Sequence, residues 1–249
     1  MDQRLHIFLP FLLAAFALGC DDRASSIASK SPPPPPPATV AHPGTIWGRV
    51  IFAGPAPKLP RLPTTGDPTC HQMHPDGVPD ESILIGPGGG LANVFVYIKD
   101  APASTGSARP PALIDQINCQ YVPHALAVQV DQPLRVKSSD MVLHNVHVMA
   151  DKNPSLNLAE IQPGEQTIRF AQPEFLHFRC DVHPWMKAVV GVFNSPYFAT
   201  TGPDGTYKIT GVPPGSHTLA IWHERFGEMQ RNVKVEADGR VREEFVYKP

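Results

Sequence analysis

The sequence has little charge and no long apolar run. Charged residues make up 18% of the 249 positions and the formal net charge is −2, which argues against a nucleic-acid partner. The apolar run at residues 7–18 is too short to span a bilayer as a stable helix. Few stretches follow the helical period, whereas 30 prolines and 19 glycines interrupt the chain. This composition predicts an all-β protein of short strands and many turns.

The first 20 residues are typical of an export signal, with Arg4 ahead of the apolar run. The segment Ala-Leu-Gly-Cys that ends at Cys20 resembles a bacterial lipobox. This resemblance implies cleavage before Cys20 and lipid attachment to it; an ordinary secretory signal is the alternative. The prolines at 32–37 predict a semi-rigid polyproline II stalk. We therefore expect a lipid-anchored protein on the periplasmic face of a bacterial membrane.

Residues 176–186 place a thiol, an imidazole and a thioether within one short stretch. Cys180 is predicted to end a strand, and Pro184 favours a turn, so that His183 and Met186 lie on the loop beyond. A blue-copper centre takes two histidine nitrogens and one cysteine sulfur, with a weak axial methionine. A buried cysteine or methionine alone would indicate core filling, but their joint spacing predicts a soft-metal site.

A second histidine is needed, and His144 begins the segment His-Asn-Val-His on another predicted strand. A His-Asn-Val strand followed later by Cys-x-x-His-x-x-Met resembles the cupredoxins, the type 1 blue-copper proteins, and amicyanin more than plastocyanin. The resemblance covers roughly residues 119–194. It implies one copper ion, with Asn145 fastening the ligand loop by hydrogen bonds. The implied ligands are His144, Cys180, His183 and Met186.

Two cysteines remain once Cys20 is assigned to lipid and Cys180 to copper. In an oxidising compartment, Cys70 and Cys119 most simply form a disulfide. Histidines lie close to both in the sequence, so that a Cys/His metal site is a second interpretation.

The C-terminal part, with turns near 203–205 and 213–215, resembles the second half of a carboxypeptidase regulatory-like, transthyretin-related β-sandwich. Segments 44–52 and 91–99 resemble its first half. That family is a non-catalytic module, and the chain has no zinc-protease motif. We therefore expect the cupredoxin unit, a Greek-key β-sandwich, to be inserted in a second small β-sandwich; two successive domains are the alternative.

The predicted organisation has five parts: a signal peptide (1–20), a proline-rich linker (21–43), the first half of the regulatory-like sandwich (44–115), the cupredoxin-like copper domain (116–195) and the second half of the sandwich (196–249).

Four protein ligands would fill the metal shell, whereas a catalytic metal keeps a position open. We therefore expect a one-electron carrier and not an enzyme. A cytochrome or a dehydrogenase would dock where an apolar rim surrounds an exposed edge of His183. Copper delivery or storage, and a copper-free structural module, are the alternatives.

Overall fold

The structure is a computed structural model that describes residues 40–104, 109–160 and 163–249. The predicted signal peptide, the lipid attachment at Cys20 and the proline stalk lie outside these residues. Within the described part of the chain, no helix is both long enough and apolar enough to cross a membrane.

Strands form most of the regular structure, with one short α-helix, α1, at Pro68–Met73. The strands of the described residues are β1 (Gly44–Phe52), β2 (Phe95–Ile98), β3 (Ala112–Ile117), β4 (Gln120–Val122), β5 (Ala125–Gln129), β6 (Leu134–Ser138), β7 (His144–Met149), β8 (Leu156–Glu160), β9 (Gly164–Ile168), β10 (Glu174–Arg179), β11 (Lys187–Phe193), β12 (Phe198–Thr200), β13 (Thr206–Val212), β14 (Gly215–His223), β15 (Gly227–Val235) and β16 (Arg240–Tyr247).

One pair of sheets forms what we call the ligand sandwich, because it carries the predicted metal ligands. Its sheets have the orders β5-β11-β10-β7-β8 and β4-β3-β6-β9. Side chains alternate along β6, where Leu134 and Val136 are buried and the residues between are partly exposed. They share one core with Phe178 and Val190 from the opposite sheet. This sandwich therefore closes around a single apolar layer.

A second pair of sheets forms the flanking sandwich, with the orders β13-β1-β16 and β12-β2-β14-β15. The first strand, β1, pairs in parallel with the last strand, β16, and antiparallel with β13. In the other sheet, β2 pairs with β12 and β14. Strands from before and after the ligand sandwich thus share both sheets.

The predicted fold class is confirmed: the protein is all-β, with two β-sandwiches. Three elements did not follow from the sequence pattern, namely α1, β3 and β8. The helix begins where Asp67 accepts a hydrogen bond from the Cys70 N–H and Pro68 opens the first turn, a local signal hidden in a proline-rich stretch. Residues 120–138 form three separate strands, β4, β5 and β6, because turns fall around Pro123 and Pro133.

Aromatic rings fill the contact between the two sandwiches. Phe175 of β10 stacks on Trp222 of β14 with ring centroids 4.2 Å apart, and Phe95 of β2 meets Phe193 of β11 at 5.9 Å. Nearby, the His124 Nε2 lies 2.5 Å from the Glu224 Oε1. Burial lowers the pKa of His124, but the hydrogen bond and the charge of Glu224 outweigh this effect and raise it above its usual value.

Candidate metal centre

Two neighbouring strands of the ligand sandwich position the predicted ligands. His144 is the first residue of β7, and Cys180 follows the last residue of β10. These strands pair antiparallel, which brings the start of one beside the end of the other. His183 and Met186 lie on the loop from β10 to β11, where the Met186 N–H donates to the His183 carbonyl at 2.9 Å. The loop is therefore a tight turn next to His144.

Three ligand atoms converge on one point. The Nδ1 atoms of His144 and His183 are 2.9 Å apart, and the Cys180 Sγ is 3.8 Å from the His183 Nδ1. All three atoms lie within 4.8 Å of one another. Met186 is buried in the same loop, and its carbonyl accepts a hydrogen bond from the Cys180 N–H at 3.2 Å.

Asp140 orients the first histidine. Its Oδ2 lies 2.9 Å from the His144 Nε2. The same carboxylate accepts hydrogen bonds from the N–H groups of Asn118, at 2.8 Å, and Cys119, at 2.7 Å. A carboxylate can only accept, so that the His144 Nε2 carries a proton and its Nδ1 presents a lone pair towards Cys180. This arrangement is the carboxylate–histidine pair that fixes the tautomer of metal-ligating histidines.

Asn145 fastens the ligand loop. Its Oδ1 accepts from the Asp181 N–H at 2.6 Å, and its Nδ2 donates to the Asp181 carboxylate at 2.9 Å. The Asn145 backbone N–H is 3.5 Å from the Cys180 Sγ, within reach of the longer bonds that sulfur accepts. On the outer side of β7, His147 also bonds to the Asp181 carboxylate at 3.0 Å. These bonds, first from His147 and then from Asn145, lower the pKa of Asp181 to about 2.

The site is closed to solvent. Exposed fractions are 0% for His144 and His183, 1% for Met186 and 2% for Cys180. The expected exposed edge of His183 is therefore wrong. Its outer nitrogen, Nε2, lies 3.6 Å from the Asp67 Oδ2 and 3.9 Å from the Cys70 Sγ. Burial lowers the pKa of His183, as does repulsion from His144 whenever that ring is protonated, and the neutral imidazole is the form that binds a metal.

The covering residues belong to the excursion between β1 and β2. Cys70 of α1 is joined to Cys119 by a disulfide. Cys119 lies in the two-residue turn between β3 and β4, where both turn residues have positive φ, 53° at Asn118 and 54° at Cys119. Such a turn matches the twist of the flanking strands. It directs the Cys119 side chain outward from the hairpin, towards α1.

A Cys/His metal site at Cys70 and Cys119 would use the histidines near them in the sequence, namely His71, His74 and His124. In the structure these histidines contact different groups. His74 contacts the Asn118 carbonyl at 2.8 Å, and His71 is 3.5 Å from the Thr64 hydroxyl. His124 lies with Glu224, between the two sandwiches. The sulfurs of Cys70 and Cys119 bond to each other. The structure therefore has a disulfide at these cysteines, in place of a Cys/His metal site.

The donor set suits a soft or borderline metal ion. Two imidazole nitrogens and one thiol, which converge here, are the strong ligands of a blue-copper centre. Met186 lies on the same loop and is buried. Among the described residues, Cys180 is the one cysteine outside a disulfide. Its sulfur is therefore free to bind as a thiolate.

Sequence reasoning did not find Asp140, Asp67 or the role of Trp185. Asp140 precedes His144 by four residues, and this spacing was a usable signal. Asp67 gave none, because it lies 116 residues before His183 and reaches it only through the fold. Trp185 donates from its Nε1 to the Cys119 carbonyl at 3.0 Å, and its ring centroid is 4.9 Å from that of His183.

Comparison with known proteins finds similarity in solved structures alone. No family model matches, and no curated protein matches. Among solved structures, a copper-containing nitrite reductase from Thermus scotoductus SA-01 is 17% identical, with a TM-score of 0.33. The match covers 38% of this chain and 25% of that one, so this chain spans about a quarter of the reductase.

Two smaller copper proteins match over nearly their whole length. A purple cupredoxin from Nitrosopumilus maritimus is 19% identical over 32% of this chain and 98% of its own, with a TM-score of 0.29. A Cu(I) form of an amicyanin mutant is 20% identical over 39% of this chain and 97% of its own, with a TM-score of 0.31. These cupredoxins resemble about a third of the chain.

The nitrite reductase match corrects one expectation. We expected from the filled ligand shell that the chain is not an enzyme, but the matched proteins include one that is named as a reductase. The expectation that the chain is not an enzyme is therefore withdrawn.

Proposed function

We propose that the protein binds one copper ion in a type 1 site and carries single electrons. The observation that supports this best is the convergence of the His144 and His183 Nδ1 atoms with the Cys180 Sγ inside a buried pocket. Met186 would be the weak axial ligand. When bound, copper supplies a reversible one-electron couple.

The surrounding residues suit this role because they restrict motion of the ligands. Asp140 holds the proton of His144 on the nitrogen that faces away from the site. Asn145 ties the loop that carries Cys180 to β7 through two hydrogen bonds to Asp181. A ligand set that hardly rearranges between two oxidation states keeps the barrier to electron transfer low. The surrounding protein also excludes water from the ligand atoms.

The protein's location and partner are proposals from the sequence. We infer that Cys20 is lipidated and holds the protein on the periplasmic face of a bacterial membrane, with the proline-rich linker as a spacer. The partner would be a redox protein, such as a cytochrome or a dehydrogenase. The relation of the flanking sandwich to the carboxypeptidase regulatory-like family is likewise a proposal, as are the predicted domain boundaries.

The visible spectrum of the copper-loaded protein tests the proposal. A thiolate bound to Cu(II) gives an intense charge-transfer band, so that the wild type should be strongly coloured. Cys180→Ser should lose the band, because the variant has no thiolate at the site.

His147→Ala is the matched control, since this histidine contacts the same loop but lies on the outer side of β7; it should keep the band. A wild type that binds copper without the band would refute the type 1 assignment. Loss of the band in His147→Ala would show that the ligand histidine is wrongly assigned.

A further inference from the structure

The segment 62–78, which we call the cap, is a closed loop on the ligand sandwich. Its ends are joined by two hydrogen bonds between Leu62 and Val78, of 2.8 and 3.0 Å. Arg61 adds a bond to the Gly77 carbonyl, and the Thr64 hydroxyl donates to the His74 carbonyl at 2.8 Å. The cap therefore has internal structure that can persist if it moves away from the sandwich.

The cap covers the outer face of His183. Asp67 and Cys70 are within 4 Å of its Nε2. Leu62, Cys70 and Val78 also pack against the core of the ligand sandwich. The cap is the part of this covering that belongs to neither pair of sheets.

Few directional contacts hold the cap in place besides the disulfide. Among the described residues outside the ligand set, one hydrogen bond joins it to the sandwich, from His74 to the Asn118 carbonyl at 2.8 Å. The disulfide closes at Cys119, in the turn whose two N–H groups bind Asp140. The anchor of the cap and the orientation of His144 therefore depend on the same short turn.

We propose that the Cys70–Cys119 disulfide locks the cap over the ligand cluster, and that the ligands reach solvent, and hence a metal ion, only while this bond is open. Closing it transfers two electrons and two thiol protons to a protein or small-molecule disulfide, which leaves as two thiols. Metal loading would then precede oxidation. The proposal uses the location of the ligand cluster, but it does not require the metal to be copper.

The reactivity of the Cys180 thiol in the metal-free full chain tests the lock. Iodoacetamide is the probe, and peptide mass spectrometry assigns the label to Cys180. In the oxidised wild type, alkylation should be at least about a thousandfold slower than in the urea-unfolded chain, since buried groups react through rare opening. If alkylation of Cys180 in the oxidised wild type is less than about tenfold slower than in the unfolded chain, this measurement alone overturns the proposal.

The double variant Cys70→Ser with Cys119→Ser removes the lock. Cys180 should then react at least about tenfold faster than in the wild type, because the constraint on the cap is gone. The double alanine variant gives a second test, since it buries no new hydroxyl group. Val233→Ala, in the core of the flanking sandwich, is the control for general loss of stability and should leave the rate within about threefold.

Folding of each variant is checked by urea unfolding. A folded double variant with Cys180 as protected as in the wild type would refute the lock. Equal acceleration in Val233→Ala would refute it as well, because the exposure would then follow from global unfolding. Since no metal is present in this assay, its outcome is independent of the spectrum that tests copper binding.

Discussion

Asp140 gives the sharpest test of how the site is organised. Its carboxylate accepts from three donors, the N–H groups of Asn118 and Cys119 and the Nε2–H of His144. It is 8% exposed, so water cannot readily replace it. Asp140→Ala leaves all three donors without their acceptor. At about 1 kcal/mol or more for each unsatisfied buried group, we expect the free energy of unfolding to fall by at least about 3 kcal/mol.

Asp140→Asn has a different consequence. The Asp140 Oδ2 accepts from both Cys119 and His144, whereas the Oδ1 accepts from Asn118. An amide oxygen at the Oδ2 position therefore keeps two of the three bonds and the tautomer of His144, and the NH₂ group faces the Asn118 N–H. The partner of His144 is then neutral, and it no longer raises the basicity of the ligating Nδ1 as a carboxylate does. We therefore expect a metal affinity about 10- to 100-fold lower. The loss of stability should be smaller than in Asp140→Ala.

Two measurements check this reasoning. The ¹⁵N shifts of His144 in the metal-free protein report which nitrogen carries the proton, and a titration with Cu(II) against a chelator gives the affinity. Glu174→Gln is the matched control, because the Glu174 carboxylate also accepts from backbone N–H groups, those of Lys152 and Asn153, each at 3.0 Å. It lies at the opposite end of β10 from Cys180. It should lose stability without losing affinity.

Wild-type affinity in Asp140→Asn would refute the role of the carboxylate in supporting His144. An equal loss of affinity in Glu174→Gln would mean that the effect comes from general destabilisation.

Further predictions concern the axial ligand, the sandwich contact, the anchor and the fold. Met186→Leu should keep copper but change the reduction potential, because an axial ligand tunes the centre more than it holds it; voltammetry measures this, and complete loss of copper would argue for other coordination. The raised pKa of His124 stabilises the fold fully below its unfolded value of about 6.5, and this stabilisation is lost as pH rises through the folded value. Urea unfolding should therefore show a difference between wild type and Glu224→Gln that shrinks at alkaline pH; a constant difference would contradict it. Fatty-acid labelling should mark the wild type and not Cys20→Ala, and equal labelling would remove the lipoprotein interpretation. A fragment of residues 196–249 should be unfolded by NMR, since it lacks β1 and β2 and would expose the edges of both sheets; a cooperative melt would show that it folds alone.

Local pattern was enough to predict much of this protein. The β-branched and aromatic residues at 44–52 and the near-continuous apolar run at 187–193 predict strands. The spacing of Cys180, His183 and Met186 places three donors on one loop, since six residues cannot separate them far. The strand β8 escaped prediction, because three of its five residues, an Asn, an Ala and a Glu, are of types that are depleted in strands.

The tertiary structure decided what covers the site. In the sequence, the segment around Asp67 and Cys70 is a proline-rich excursion far from every predicted ligand, and only the fold sets it against His183. The same holds for β1 and β16, which lie at the two ends of the described chain and pair in parallel. Spacing along a chain limits distance only between near neighbours; contacts between distant segments depend on which apolar faces are buried together. The sequence by itself therefore predicted the residues of the metal site, and the tertiary structure alone decided that they are closed to solvent.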